Sequence, residues 1–333
     1  MQAWQDFIQT QTLDDGPLAE CAIADLSHLG LIRVTGEDRR SFLQGQLTND
    51  IHKVDAGHSQ LSSYCSPKGR MLASFRIFER DGALYLMLPA ERLEPVLKRL
   101  RMFVLRAQVT LEDASEELAR VELAGACAPD LLPIEPPAED NAVASLDGYT
   151  LIRVPGDRPR FQVIAEPALM QALWEEAVEN GARPTDARAW ALLDIRAGIP
   201  SVYDATAEAF VPQMANLQMV EGVSFTKGCY TGQEIVARMQ YLGKLKRRMY
   251  RVRIDTDTAP QPGQELFAEG SASGQGTGKV VASAPSPEGG YEALVVVEIA
   301  SAEGGEVRLG GPEGPRLEFL DLPYPLASEN PSS

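Results

Sequence analysis

Lys227-Gly228-Cys229-Tyr230-Thr231-Gly232-Gln233-Glu234 sets a thiol beside a lysine and between two glycines, just ahead of an apolar helical start, Ile235-Val236-Ala237-Arg238. A cysteine acts as a nucleophile only as the thiolate, and a nearby cation or helix N-terminus favours that form. Lys227 supplies a cation, and a helix beginning near Thr231 would add the partial positive charge of its free N–H groups. Gly228 and Gly232 open backbone conformations that a side chain forbids. The alternative is a tight turn around a buried cysteine, since free Cys often serves as a small core residue. Composition alone favours that turn; the density of special residue types favours a functional loop.

The surrounding chain narrows the classes. Its 333 residues suffice for two or three domains, and 44% hydrophobic content is ordinary for a globular protein. A net charge of −16 argues against nucleic acid or an anionic membrane surface as a bulk partner, because phosphate binding needs clustered cations. Met1 to Gly16 has neither the apolar core of a signal peptide nor the arginines of a transit peptide. No apolar run approaches the roughly 20 residues that span a bilayer. The expectation is a cytoplasmic monomer. Cys21, Cys65, Cys127 and Cys229 lie far apart, and neither they nor His28, His52 and His58 have metal-ligand spacing. No metal site is predicted, and a cytosolic compartment would keep the thiols reduced.

Residues 23–34 read as one strand-like run and Asp38 to Gln46 as a short helix. Asp81-Gly82 separates Met71–Phe78 from Ala83–Leu88, a hairpin signal. Glu91 to Leu100 reads as a helix, with a strand near Gln108 to Leu111. A second Asp-Gly pair, Asp147-Gly148, opens a strand from Tyr149 to Val154, pairing with Arg160 to Ala165. Pro167 opens a helix that stops at Gly181, and Thr185 or Asp186 caps another over Ala187 to Ala197. Helices and hairpins interleave without a repeated βαβ unit, so the class is α+β. After Tyr241, strands over Met249–Ile254, Gly278–Ser283, Tyr291–Ile299 and Glu306–Leu309 alternate with Gly/Pro turns, as in a small barrel or sandwich. Gly274-x-Gly276-x-Gly278 precedes a strand and no helix, so it reads as a turn and not a phosphate loop. The polar tail Ser328–Ser333 reads as frayed.

The octapeptide, with Phe210-Val211-Pro212-Gln213-x-x-Asn216-Leu217 upstream of it, resembles the YgfZ family, folate-binding proteins related to the glycine-cleavage aminomethyltransferases. Gln44-Gly45-Gln46-Leu47-Thr48-Asn49-Asp50, Cys65-x-x-Lys68-Gly69-Arg70, Ala197-Gly198-Ile199-Pro200 and Leu322-Pro323-Tyr324 also fit it. The resemblance runs from about residue 25 to 326. It implies an aminomethyltransferase-like (GcvT-type) ring: two intertwined α+β subdomains over 1–245, a C-terminal β-barrel over 246–333, and tetrahydrofolate or a one-carbon derivative in the central channel. The implied role is support of iron–sulfur enzymes through assembly or repair, including tRNA methylthiolation. Iron–sulfur client enzymes or assembly factors would be the partners, with no direct contact to tRNA.

Lys227 and Cys229 carry over as the functionally required pair, the thiolate attacking a folate-borne one-carbon unit or ligating iron transiently. Tyr230 and Gln233 would position a ligand or hold the loop. Glu234 would cap the next helix through its free N–H groups. Trp190 corresponds to a family tryptophan implicated in folate binding, since a flat indole suits a pterin face; packing in the core is the alternative. The second family tryptophan is replaced here by Leu29. Lys68 and Arg70 could meet a folate polyglutamate tail or an acidic partner. The run Lys244, Lys246, Arg247, Arg248 reads as a solvated face, and Cys65 as a buried thiol. The rival reading is a folate-dependent aminomethyl- or methyltransferase. The related transferases carry an acidic pair on the strand after a Gly-Gly turn; Ala73 and Ser74 stand there, so a general acid/base is missing. A third reading is a non-catalytic folate sensor that docks partners.

Overall fold

A computed structural model describes residues 2–14, 18–269 and 276–326. The tail at Ser328–Ser333 and the first part of the Gly274–Gly278 run lie outside these residues. Gly278 itself opens a strand.

In chain order the elements are α1 (Gln2–Gln9), β1 (Cys21–Asp25), β2 (Leu29–Thr35), α2 (Arg39–Gln44), β3 (Gln60–Cys65), β4 (Met71–Arg80), β5 (Ala83–Pro89), α3 (Ala90–Arg101), β6 (Thr110–Asp113), β7 (Ala119–Gly125), β8 (Val143–Leu146), β9 (Tyr149–Arg153), β10 (Arg160–Ala165), α4 (Pro167–Glu179), β11 (Arg183–Thr185), α5 (Ala187–Arg196), α6 (Gln233–Tyr241), β12 (Arg247–Ile254), β13 (Glu265–Ala268), β14 (Gly278–Pro285), β15 (Tyr291–Glu298), α7 (Ile299–Gly304), β16 (Val307–Leu309) and β17 (Leu317–Leu320).

The strands form three sheets, ordered β11-β1-β7-β10-β9-β8, β3-β4-β5-β2-β6 and β16-β13-β14-β15-β12-β17. The first two interleave in sequence, as the α+β class requires. The apolar run at 23–34 is therefore two strands. It breaks at Leu26, whose N–H donates to Arg120 while its carbonyl accepts from Leu29. β1 then pairs with β7, and β2 with β5 and β6. The third sheet curls into a half-barrel, and one bridge, between Arg308 of β16 and Arg316 just before β17, draws its two edges toward each other.

Local chemistry matches the expected punctuation. Asp81 and Gly82 both have positive φ between β4 and β5, as do Asp147 and Gly148 between β8 and β9, the geometry of a two-residue hairpin turn. Asp186 caps α5 by accepting from the Arg188 N–H. Pro167 occupies the first turn of α4, where its missing N–H costs nothing.

One expectation on the thiols is corrected. Cys21 and Cys127 are joined by a disulfide with Cα atoms 5.7 Å apart. The pairing of Cys21 with Gly125 across β1 and β7 brings together two cysteines 106 residues apart. Cys65 and Cys229 are free.

Candidate functional site

The separate sequence motifs meet in space. Lys227 is buried, and its Nζ donates to the carbonyls of Gln44 (2.7 Å), Leu47 (2.6 Å) and Asn49 (3.1 Å). The bonds also run the other way. Thr48 Oγ1 donates to the Gly222 carbonyl at 2.9 Å, and Asn49 Nδ2 to the Glu221 carbonyl at 2.6 Å. The 44–50 loop and the 221–227 approach are thus one hydrogen-bonded unit. Burial pulls the Lys227 pKa down to about 8, opposed by Asp50. The three carbonyls face a charged ammonium at neutral pH, and its N–H bonds are all committed to them.

Gly232 has φ +84, and a Cβ there would lie 2.4 Å from the Ser66 carbonyl and 3.0 Å from the Gly69 Cα. The octapeptide therefore seats against the turn that carries Lys68. Within that turn the Ser66 N–H donates to the Arg70 carbonyl, and Gly69 N–H to the Ser66 carbonyl. Arg70 Nη1 donates to the carbonyls of Glu208 and Ala209, and Lys68 is exposed at the tip. Tyr230 is buried beneath the Lys227 ammonium, which lies 5.0 Å over its ring. Burial first, then the nearby Cys65, raises the Tyr230 pKa. Gln233 Nε2 donates to the Gly228 carbonyl at 3.4 Å. Cys229 is exposed, and at Gly228 an added methyl would meet nothing within 4 Å. Cys65 is fully buried, and burial pushes its thiol up to about 12.

α6 starts after Gly232, with no side chain bonded to its N-terminal N–H groups. Glu234 is therefore not a hydrogen-bonding cap; it stands in the first turn, where its charge favours the helix dipole. Gln213 Nε2 donates to the Val236 carbonyl and Asn216 Nδ2 to the Met249 carbonyl, so the upstream motif ties α6 and β12 together. Tyr324 donates to the Gly198 carbonyl at 2.9 Å. Gly198 has φ +65, and a Cβ there would sit 2.7 Å from the tyrosine ring. The last two motifs thus lock the chain's end onto the segment after α5. From the basic run, Arg247 pairs with Glu298 at 3.4 Å.

Where the sheets meet lies a cavity of about 60 Å³ lined by Leu29, Ser62, Ser74, Arg76, Gln162 and Asp194, among others. Its polar wall is continuous with a buried network. Arg160 Nε donates to Glu122 at 2.7 Å and its Nη2 to Asp194 at 2.6 Å, while Gln162 Nε2 donates to Glu122 at 3.0 Å. Burial pushes the Glu122 carboxyl up, and the Arg160 guanidinium opposes it. Burial draws Arg76 down to about 10. Gln162 Oε1 is buried without a partner. Ser74 Oγ accepts from the Val202 N–H. Arg76 Nη1 donates to Asn141 Oδ1 at 2.8 Å. Asn141, with Val220 and Glu221, borders two wider hollows of about 390 and 480 Å³.

Trp190 stands one turn before Asp194 on α5. It packs with Ala22, Ala24, Leu26 and Leu193, with Leu29 against the cluster. Its Nε1 is buried and without a partner, and it does not line the cavity. The fold thus unites Lys227, Cys229, Tyr230, Gln233, Lys68 and Arg70 and holds Trp190 apart. Sequence reasoning missed Arg76, Glu122, Arg160, Gln162 and Asp194. The signal was present: four of them interrupt apolar strands, as in Phe75-Arg76-Ile77 and Val121-Glu122-Leu123, and buried charges need partners.

Residues 18–143 match the family described as GCVT N-terminal domain. The chain is 38% identical over 237 residues to the tRNA-modifying protein YgfZ of Colwellia psychrerythraea, covering 70% of this chain and 72% of that one. It is 33% identical over 311 residues to the YgfZ protein of Photobacterium profundum, covering 93% of each. The glycine cleavage system aminomethyltransferase T of Bartonella henselae superposes with a TM-score of 0.68 at 18% identity, over 92% of this chain and 86% of that one; this is a likeness of fold. No helix among the described residues is long and apolar enough to cross a membrane. With that identity sustained along most of its length, the chain belongs to the YgfZ family.

Proposed function

We propose that this protein binds tetrahydrofolate, or a one-carbon derivative of it, within residues 1–245 and supports assembly or repair of iron–sulfur enzymes, among them those that methylthiolate tRNA. The relatives' name, tRNA-modifying protein, fits this reading, and so does a net charge of −16 that makes the effect on tRNA indirect. One observation carries it. Lys227, Tyr230, Gly232 and Gln233 are all engaged in holding the loop, while the Cys229 thiol is presented to solvent. A loop so tied down around one free thiol is built to offer that thiol to something outside the chain.

The donor set of the central cavity suits a pterin. Gln162 Oε1 is an unused acceptor and Asp194 a carboxylate, both able to take pterin N–H groups; Arg76 can face its carbonyl. At about 60 Å³ the cavity holds a water or two, so Leu29 and the Ile199–Pro200 wall must part to admit a ring. A bound folate would supply a carrier for a one-carbon group. Trp190 would stack on it once Leu29 moves. Lys68 stands free to meet an acidic tail, whereas Arg70 is engaged with backbone carbonyls. The site of action is cytoplasmic and the protein a monomer in this reading.

The transferase reading has one observation in its favour: Asp194 brings a carboxylate to the cavity although Ala73 and Ser74 do not. That carboxylate is bonded to Arg160, which suits binding better than proton transfer. The test has two arms. Tetrahydrofolate should quench tryptophan fluorescence in the wild type and not in Trp190→Phe. In a strain lacking its own YgfZ protein, Cys229→Ala should fail to restore tRNA methylthiolation while still binding folate. Absence of any Trp190-dependent quench removes the folate reading; full complementation by Cys229→Ala removes the role of the thiol. Turnover of methylene-tetrahydrofolate by the purified protein would favour the transferase.

A further inference from the structure

The end of α3 has no counterpart in the reading above. Residues 98–106 run Lys98-Arg99-Leu100-Arg101-Met102-Phe103-Val104-Leu105-Arg106, and no Asp or Glu lies between Glu94 and Glu112. In a chain of net charge −16 this is a cationic island. Met102, Phe103 and Leu105 are 62%, 40% and 88% exposed, so large apolar side chains stand among the cations. Leu105 has φ +44, a left-handed backbone costing a branched residue about 1 kcal/mol or more, and its side chain gains almost no contact in return. Strain held without internal compensation points outward. Arg101 donates to the Leu111 carbonyl, and Asp38 accepts from the Gln108 N–H at the base of the tip. None of the four cations forms an ion pair among the described residues.

The tip is linked to the thiol loop through the buried interior. The Arg99 guanidinium lies 5.9 Å from the Phe103 ring centre and 5.9 Å from that of Tyr64. Tyr64 bridges Leu47, and the Leu47 carbonyl accepts from Lys227.

We infer that this tip is a docking surface for a partner protein that presents an acidic segment with apolar side chains between its carboxylates. Charge complementarity selects the acidic character, because four cations that form no ion pair among the described residues stand within residues 98–106 with no carboxylate between them. Met102 and Leu105 select a protein over a polynucleotide, because aliphatic side chains gain nothing from phosphate. The net negative charge likewise opposes an anionic bilayer. The inference names a partner class for the proposed function but does not require folate.

A photo-crosslinking amino acid at Leu105 in cells, with the same residue at exposed Leu146 as control, tests it. The expected result is a discrete adduct from position 105 only, mapped to an Asp/Glu-bearing segment. The adduct should fall tenfold or more in K98E/R106E, which spares the Arg101 bonds to Leu111, and return when the partner's mapped acids are changed to lysine. The K98E/R106E variant should keep its melting temperature and its folate quench yet fail to restore tRNA methylthiolation. Equal adducts at 105 and 146, an adduct unchanged by the charge reversal, or full complementation overturns the inference. So does binding of total tRNA, or of phosphatidylglycerol vesicles, at 0.15 M salt that the reversal abolishes. Loss of the folate quench in wild type would strike the folate reading and leave this one standing.

Discussion

Replacing Lys227 with methionine decides what the lysine does. The side chain keeps its length and loses its charge. Three carbonyl acceptors, those of Gln44, Leu47 and Asn49, lose a donor at 2.6–3.1 Å. A bond from a charged donor is worth about 1.5 kcal/mol net at the low end, so the three together come to roughly 4–5 kcal/mol. Burying a thioether where an ammonium stood returns about 1.5 kcal/mol. The expected loss is therefore about 3 kcal/mol, read as a lower urea midpoint at unchanged slope by far-UV circular dichroism. The same samples report on the thiol. If the lysine is a clamp, alkylation of Cys229 in folded Lys227→Met at pH 7 proceeds at the wild-type rate or faster, because the loop loosens. The reasoning fails if stability stays within about 0.5 kcal/mol while Cys229 alkylation slows tenfold. That pattern would make Lys227 the cation that ionises the thiol and nothing more.

Three other outcomes follow from the geometry. Gly232→Ala should cost about 2–3 kcal/mol, from a left-handed φ and a Cβ pressed on the Ser66 carbonyl, whereas Gly228→Ala should stay within about 0.5 kcal/mol; equal effects in urea melts would contradict this. Cys65 bears on alkaline stability: its folded thiol is raised to about 12 from 9.0. Between those values the unfolded chain has lost the proton and the folded chain has kept it. Stability therefore falls as pH rises above 9, by about 2 kcal/mol at pH 10.5, and Cys65→Ser should abolish that share of the decline. Glu122→Leu should cost about 2–4 kcal/mol, because Arg160 Nε and Gln162 Nε2 lose their buried acceptor while Arg160 keeps Asp194, and a neutral result would mean that both donors find water instead.

Local signals in the sequence were legible wherever one residue type fixes one backbone geometry. Asp81-Gly82 and Asp147-Gly148 specify hairpins, Pro167 and Gly181 bracket α4, and Asp186 caps α5. What escaped depends on which strand meets which. The 23–34 run reads as one strand because apolar alternation carries no information about sheet membership, and only Arg120, distant in sequence, supplies the carbonyl that turns the chain at Leu26. Short β13 and β17 fall below the length at which alternation is visible. The Cys21–Cys127 bond depends on the register of β1 against β7. The candidate site divides the same way. The Cys229 loop is visible because unusual residue types crowd one stretch. The central network is dispersed over β4, β7, β10 and α5, and its members look like isolated charges until Gln162 is placed opposite Glu122.

The motif residues themselves change meaning once their partners are known. Thr48 and Asn49 hold the backbone before Lys227, Lys227 holds the backbone around Thr48, and Gly232 lets the loop rest on Gly69. These residues are required by the fold of the loop, so their presence alone does not argue for chemistry at each of them. Among the groups this scaffold leaves unspent are the exposed Cys229 sulfur, the buried amide oxygen of Gln162 and the indole N–H of Trp190. The first faces solvent and the other two lie inward.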